Sequence, residues 1–191
     1  MRIALTGGIA CGKSLLANYL NQLGVETLDA DDIVHELIPD AERRRMADEV
    51  FRDPVKRKEL EQRIHPLVRA RLAAFANGER GTAAAKAMAV ESGNGEWKIR
   101  IEIIPLLFEC HWEADYDIIL CVSSPRSLQV ERMTSRRGYT EEQAESRLAA
   151  QLPVEEKAAR SDYVIVNGGS AENLMEEAKK LVAWLKGRCN G

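Results

Sequence analysis

Eight residues near the start of the chain, Gly7-Gly8-Ile9-Ala10-Cys11-Gly12-Lys13-Ser14, carry the spacing G-x-x-x-x-G-K-S. The glycines of such a loop let the backbone curl with its N–H groups pointing inward around a phosphate. The helix expected after it turns its positive dipole end toward the same anion. Lys13 adds a point charge for β- and γ-phosphate oxygens, and the Ser14 hydroxyl is a ligand for Mg²⁺. With glycine near 7% of residues, a random chain of this length would match on the order of once in a hundred. The match here follows a strand pattern and precedes a helix pattern, as the motif requires. The loop implies binding of a nucleoside triphosphate and leaves open kinase, GTPase or motor ATPase.

Other residues narrow that choice. A guanine-reading Asn-Lys-x-Asp is absent from the sequence, and the fifth apolar strand runs into Asn167-Gly168-Gly169 instead. A large ATPase would place an acid directly after its third apolar strand. Here that strand ends in Pro105-Leu106-Leu107-Phe108-Glu109, so the acid is displaced. Asp29-Ala30-Asp31-Asp32 follows the second strand, where ligands of doubly wound sheets gather. A carboxylate at that point can orient, or take a proton from, a hydroxyl attacking a γ-phosphate. Asp31 and Asp32 equally suit the cap of a helix. Arg132, Arg136, Arg137 and Arg147 surround the Gly138-Tyr139-Thr140 break. Two helices joined there could close as a lid and stabilise a transferring phosphoryl group. Glu131, Glu141, Glu142 and Glu145 could instead pair the same arginines on a solvated surface. His65, before Pro66, suits a helix kink or core position as well as a functional one.

The elements that must position these groups read as a parallel α/β sheet. Ile3-Ala4-Leu5 is a buried strand, and Leu15, Leu16, Tyr19, Leu20 and Leu23 recur at helical spacing until Gly24. Val25 to Leu28 is a second strand. Asp31 to Ala76 is helical and charged, divided by Pro39, Pro54 and Pro66, with a break or kink expected at His65-Pro66. Asn77 to Glu96 is a Gly/Ala-rich connector. Trp97 to Ile104, Asp117 to Val122 and Tyr163 to Val166 complete the strands. Ser124-Pro125 suggests an N-cap with proline at the first helical position. Thr140 to Gln143 suggests a capping box, and Ser170 a cap for a last helix ending near Gly187. The 191 residues suit one domain, and the 27 basic against 30 acidic residues give a net charge of −3. That balance speaks against generic nucleic-acid or anionic-membrane binding. No apolar run approaches a membrane span, and the start lacks a signal peptide's apolar core. Four cysteines without metal or C-x-x-C spacing suit a reduced, cytoplasmic protein. Cys11 inside the loop is a small filler or a redox control.

From Ile3 to about Lys180 the sequence resembles the dephospho-coenzyme A kinase family. The phosphate loop with Leu5 and Thr6 before it, Leu23-Gly24-Val25 with Leu28-Asp29-Ala30-Asp31, and Ile64-His65-Pro66-Leu67 are similar to that family's segments in order. So are Ile104-Pro105-Leu106-Leu107-Phe108-Glu109 and Arg147-Leu148-Ala149-Ala150-Gln151 with Asp162-Tyr163-Val164-Ile165 and Asn167. The resemblance implies a P-loop kinase core, about residues 1–32, 97–131 and 161–187, with a helical acceptor-binding insert at 33–76 and a helical lid at 132–160. It implies transfer of the ATP γ-phosphoryl to the ribose 3′-hydroxyl of dephospho-coenzyme A, with Mg²⁺. Asp31 would be the base, Lys13 and Arg136 would act on the phosphates, and Ser14 would hold the metal. Gly7 to Leu15, Asn167 and Gly168 would bind ATP. Asp31, His65, Pro105, Leu106 and Arg147 would face the acceptor. The stretch between Leu37 and Phe51 is shorter than the family carries, and Asn77 to Glu96 is longer. Leu15 replaces a residue that is more often polar. Other readings are a kinase for another nucleoside or small metabolite, and a nucleotide-binding regulatory protein.

Overall fold

The computed structural model describes residues 1–38, 53–79 and 98–189. It divides into two compact units, residues 1–27 with 90–191, and residues 28–89. The first unit is built on a five-stranded sheet in the order β2-β3-β1-β4-β5. Its strands are β1 (Ile3–Gly7), β2 (Glu26–Asp29), β3 (Arg100–Ile103), β4 (Ile118–Ser123) and β5 (Tyr163–Val166). β1 pairs in parallel with β3 and β4, and β4 with β5. Every residue of β1 is buried, as a central strand covered on both faces demands.

Helix α1 (Lys13–Gln22) starts at the end of the phosphate loop and packs on the C-terminal helix. Leu16 and Leu20 of α1 are buried with Ile3, Leu5, Ile103, Leu120 and Ile165 of the strands. Helix α2 (Ala30–Leu37) and helix α3 (Pro54–Ala76) form the second unit and pack on one another, with Ile33, Val68 and Leu72 buried. After β4 come α4 (Arg126–Arg137), α5 (Glu141–Ala149) and α6 (Val154–Ala159), and α7 (Ala171–Cys189) follows β5. Val154 of α6 and Leu174, Leu181 and Leu185 of α7 join the sheet core. Among the described residues no helix is long and apolar enough to cross a membrane.

Three local expectations change. The break at His65-Pro66 is not there, since α3 continues through Pro66 to Ala76. The cost of the missing N–H is met by packing, because Val68, Leu72 and Phe75 beyond the proline are all buried. Ser124 does not cap α4. The helix begins after Pro125 without a side-chain cap, and the Ser124 hydroxyl donates to Asn167 O at 2.7 Å. A long-range carbonyl has taken the hydroxyl from the local role. Neither Asp31 nor Asp32 caps α2. Asp29 does so, accepting from the Asp31 N–H at 2.9 Å. Pro39, the shortened stretch after Leu37 and most of the connector before β3 lie outside the described residues.

Candidate active site

The phosphate loop leaves the carboxyl end of β1, the strand at the centre of the sheet order. β1 lies between β3 on one side and β4 on the other, and the chain reverses its progress across the sheet here. Such a reversal opens a crevice for ligands at strand ends. Two glycines are dictated by geometry. Gly7 has φ 146°, and a Cβ on it would come 2.3 Å from the Val122 carbonyl oxygen. Gly12 has φ 98°, and a Cβ there would meet the Asn167 amide nitrogen at 2.3 Å. Ala10 sits in the left-handed region at φ 58°, a conformation that costs an L-residue roughly 1–2 kcal/mol.

Side-chain donors take up five successive loop carbonyls. Lys13 Nζ donates to Gly7 O and Gly8 O, each at 2.9 Å. Gln129 Nε2 donates to Ile9 O at 2.7 Å, and Arg132 Nη1 to Ala10 O at 3.2 Å. Asn167 Nδ2 donates to Cys11 O at 2.8 Å. With these oxygens drawn to side-chain donors and the Cys11 N–H bonded back to Gly8 O at 3.3 Å, the loop has the curl of an anion-binding nest. Gly12 is the N-cap of α1 and supplies no side-chain cap, and no acidic residue stands in the first turn. The helix therefore keeps its positive end for a ligand.

The positions expected to share the site divide into three groups. Gly7 to Ser14 and Asn167 lie together, and Gly168 is exposed in the turn beside Asn167. Asn167 is buried, and its amide faces the loop's Cys11 carbonyl, with Oδ1 accepting from Arg132. It thus supports the loop from behind. Arg132 also leaves the expected lid group. Its guanidinium reaches Ala10 O, Ser124 Oγ at 2.9 Å, Asn167 O at 3.1 Å and Asn167 Oδ1 at 3.3 Å. Arg136 and Arg137 are exposed in the last turn of α4, which Gly138 ends in the left-handed conformation. The capping box opening α5 is present, and Arg147 stacks over the Tyr139 ring at 4.5 Å. Those three arginines sit around one helix–turn–helix. Leu15 and Leu106 are exposed.

Asp31 is exposed in the first turn of α2, and His65 is half-buried in α3, both in the second unit. Glu109, the displaced acid, is committed elsewhere. It pairs at 2.7 Å with Lys157, which is wholly buried, and accepts from the Leu152 N–H. Lys157 also donates to Pro105 O at 2.8 Å, fastening the end of β3 to α6. Sequence reasoning missed Gln129 altogether and read Ser124 only as a helix cap. The one available signal was the Gln129/Arg132 spacing, which puts both on one face of α4.

The Cys11 thiol is buried and wedged against Gln129 Nε2 at 3.1 Å. Burial pushes its pKa up, against smaller opposing effects of Lys13 and Ser124. A protonated, enclosed thiol suits the filler role. For Mg²⁺, Ser14 offers an exposed hard oxygen at the start of α1. No cluster of three His, Cys, Asp or Glu ligands occurs among the described residues. One hydroxyl with phosphate oxygens and waters is a donor set this ion accepts.

The sheet, the loop and the helix behind it define a P-loop α/β nucleotide-binding protein of the kinase fold. A family model described as dephospho-CoA kinase matches residues 1–43 and 40–173. The chain is 36% identical over 207 residues to the dephospho-CoA kinase of Anaeromyxobacter dehalogenans, covering 97% of this chain and 92% of that one. It is 33% identical to that of Thermosynechococcus vestitus, covering 97% and 95%. The crystal structure of TT1252 from Thermus thermophilus is 31% identical, with a TM-score of 0.74 and 97% of each chain covered. Shikimate kinase from Acinetobacter baumannii, 18% identical with a TM-score of 0.57 over 98% of this chain and 93% of that one, shares the fold. The chain belongs to the dephospho-CoA kinase family.

Proposed function

We propose that this protein transfers the γ-phosphoryl of ATP to the ribose 3′-hydroxyl of dephospho-coenzyme A, the last step of coenzyme A synthesis. The observation that carries the ATP half is the loop itself, with five successive carbonyls tied back by side-chain donors. Family membership carries the acceptor. Phosphoryl transfer needs little covalent chemistry from a protein, so positioning and charge neutralisation do most of the work. The Lys13 ammonium, which donates to loop carbonyls here, exchanges them for phosphate oxygens when ATP binds. Ser14 holds Mg²⁺, which neutralises charge on the phosphates when bound. Arg136 closes on the phosphates from the lid, with Arg147 and the Tyr139 ring shaping its other side. Asp31 orients the acceptor hydroxyl and takes its proton. On the family resemblance His65, Pro105 and Leu106 are assigned to the acceptor, and Gly168, exposed in the turn after Asn167, to the nucleotide.

The test is an ADP-release assay with Mg²⁺–ATP and a panel of hydroxyl acceptors, with mass spectrometry of the product. Release with dephospho-coenzyme A alone, giving a new 3′-phosphate, is the expected result. Release with a different nucleoside, or release indifferent to any acceptor, overturns it. Asp31→Asn is expected to lower kcat by about 10²-fold or more while ATP affinity stays near wild type, the range for losing a positioned proton acceptor. Unchanged turnover in that variant removes Asp31 from the reaction.

A further inference from the structure

We infer that Gln129 and Arg132, one turn apart on α4, are positioning residues that hold the phosphate loop in its anion-binding conformation. The inference rests on the loop being the ATP site. Lys13 cannot serve the same purpose throughout a turnover, because the ammonium that holds Gly7 O and Gly8 O is the group that phosphate recruits. The remaining holds come from behind the loop and have no phosphate to follow. Gln129 is buried, and its amide nitrogen divides between Ile9 O at 2.7 Å and Cys11 Sγ at 3.1 Å. Arg132 spends two guanidinium nitrogens on Ala10 O, Ser124 Oγ and both oxygens of Asn167. Asn167 in turn holds Cys11 O, so the guanidinium grips two consecutive loop carbonyls, one directly and one through Asn167.

The residue between these holds explains why they are needed. Ala10 is the one non-glycine residue of the loop with positive φ, 58°. A loop containing this conformation relaxes by turning peptide units over, which would aim carbonyl oxygens where N–H groups should point. The Gln129 and Arg132 bonds fall on either side of that relaxation, at Ile9 O and Ala10 O. α4 thereby has two ends with two duties. Its inner face sets the loop, and its last turn carries Arg136 and Arg137 toward the lid turn at Gly138. Arg132 accordingly acts through the loop, whereas Arg136 acts on phosphate.

The variants that test this are Gln129→Met, which keeps the volume and removes the donor, and Arg132→Lys, which keeps the charge and loses the fork. KM for ATP and KM for dephospho-coenzyme A are measured separately. The Kd for ATP without acceptor is measured by calorimetry, and folding by thermal melts. The expected result is a rise of about tenfold in Kd and KM for ATP, the scale of a lost hydrogen bond to a group in a charged site, with acceptor KM unchanged. In Arg132→Ala, millimolar methylguanidine is expected to restore ATP affinity. Three results overturn the inference. One is unchanged ATP affinity in folded Gln129→Met. Another is a loss confined to Tm and active fraction with both KM values intact. The third is a fall in kcat at saturating ATP and acceptor with Kd intact, which would put Arg132 on the transferring phosphoryl group. Wild-type protein that ignores ATP in the same calorimeter defeats the reading of the site instead, so the two failures are told apart.

Discussion

Cys11 is the residue where chemistry and packing pull hardest against each other. It lies inside a loop built to attract negative charge, which would favour a thiolate. Burial wins, and the thiol pKa rises, with Lys13 and Ser124 opposing less strongly. Cys121 on β4, also buried, is pushed up to about 12 by burial first and then by Cys11. Both groups have folded pKa values above the unfolded cysteine value of about 8.5. Their contribution to stability is therefore complete below that pH and is lost as pH rises toward the folded values. Urea melts at pH 7.5 and pH 10 are expected to show an alkaline loss of stability in wild type that is smaller in Cys11→Ser/Cys121→Ser. An equal loss in both proteins would assign the alkaline limb to other groups. At pH 7.5, iodoacetamide is expected to leave Cys11 unmodified in native protein and to label it in urea.

At the level of elements, the turn between α4 and α5 is the clearest case of local chemistry deciding geometry. Gly138 ends α4 with φ 68°, and nothing lies within 4 Å of where its Cβ would be. Gly138→Ala is therefore expected to cost about 1 kcal/mol through backbone strain alone, and Gly138→Asn less. Thermal melts of the two variants check the order, and equal losses would mean that a hidden contact sets the cost. Features of this kind were legible in the sequence because their partners lie within four residues. The Gly138 stop and the Thr140–Gln143 box belong there; the loop glycines were legible instead from their fixed spacing, although Gly7 and Gly12 answer to Val122 and Asn167. Features answering to distant partners were not. Ser124 looks like a cap and Asn167 like a turn residue, yet they meet each other across 43 positions, and Arg132 reaches Asn167 across 35. Arg132 and Arg136, four apart, share one side of α4 and differ in height along it: Arg132 is half-buried and bonded to the loop, Arg136 exposed in the last turn. The strand order 2-3-1-4-5 was likewise beyond reading, since apolar runs announce strands and not their neighbours.

For the molecule as a whole, a net charge of −3 and a polyanionic ligand look mismatched. Long-range terms are weak here, because charges more than about 8–10 Å apart are largely screened at ordinary ionic strength. What an incoming triphosphate meets is the local field of loop N–H groups, the α1 N-terminus and Lys13. The binding energy then becomes folding energy for the unit that carries the loop, since the unfolded chain has no nest to offer. Saturation at 100 times Kd stabilises by about 2.7 kcal/mol. For a chain of 150–250 residues each kcal/mol moves Tm by about 2–4 °C, so Mg²⁺–ATP is expected to raise it by roughly 5–10 °C. Lys13→Ala should lose most of the rise, whereas Asp31→Asn should keep it, because the role proposed for Asp31 concerns the other substrate and adds nothing to ATP binding alone. Hydrogen exchange under the same conditions should show added protection at residues 7–16 and across the α4 face that holds them. A Tm rise that survives in Lys13→Ala would mean that ATP stabilises the protein from another site, and the loop would lose its place as the source of the effect.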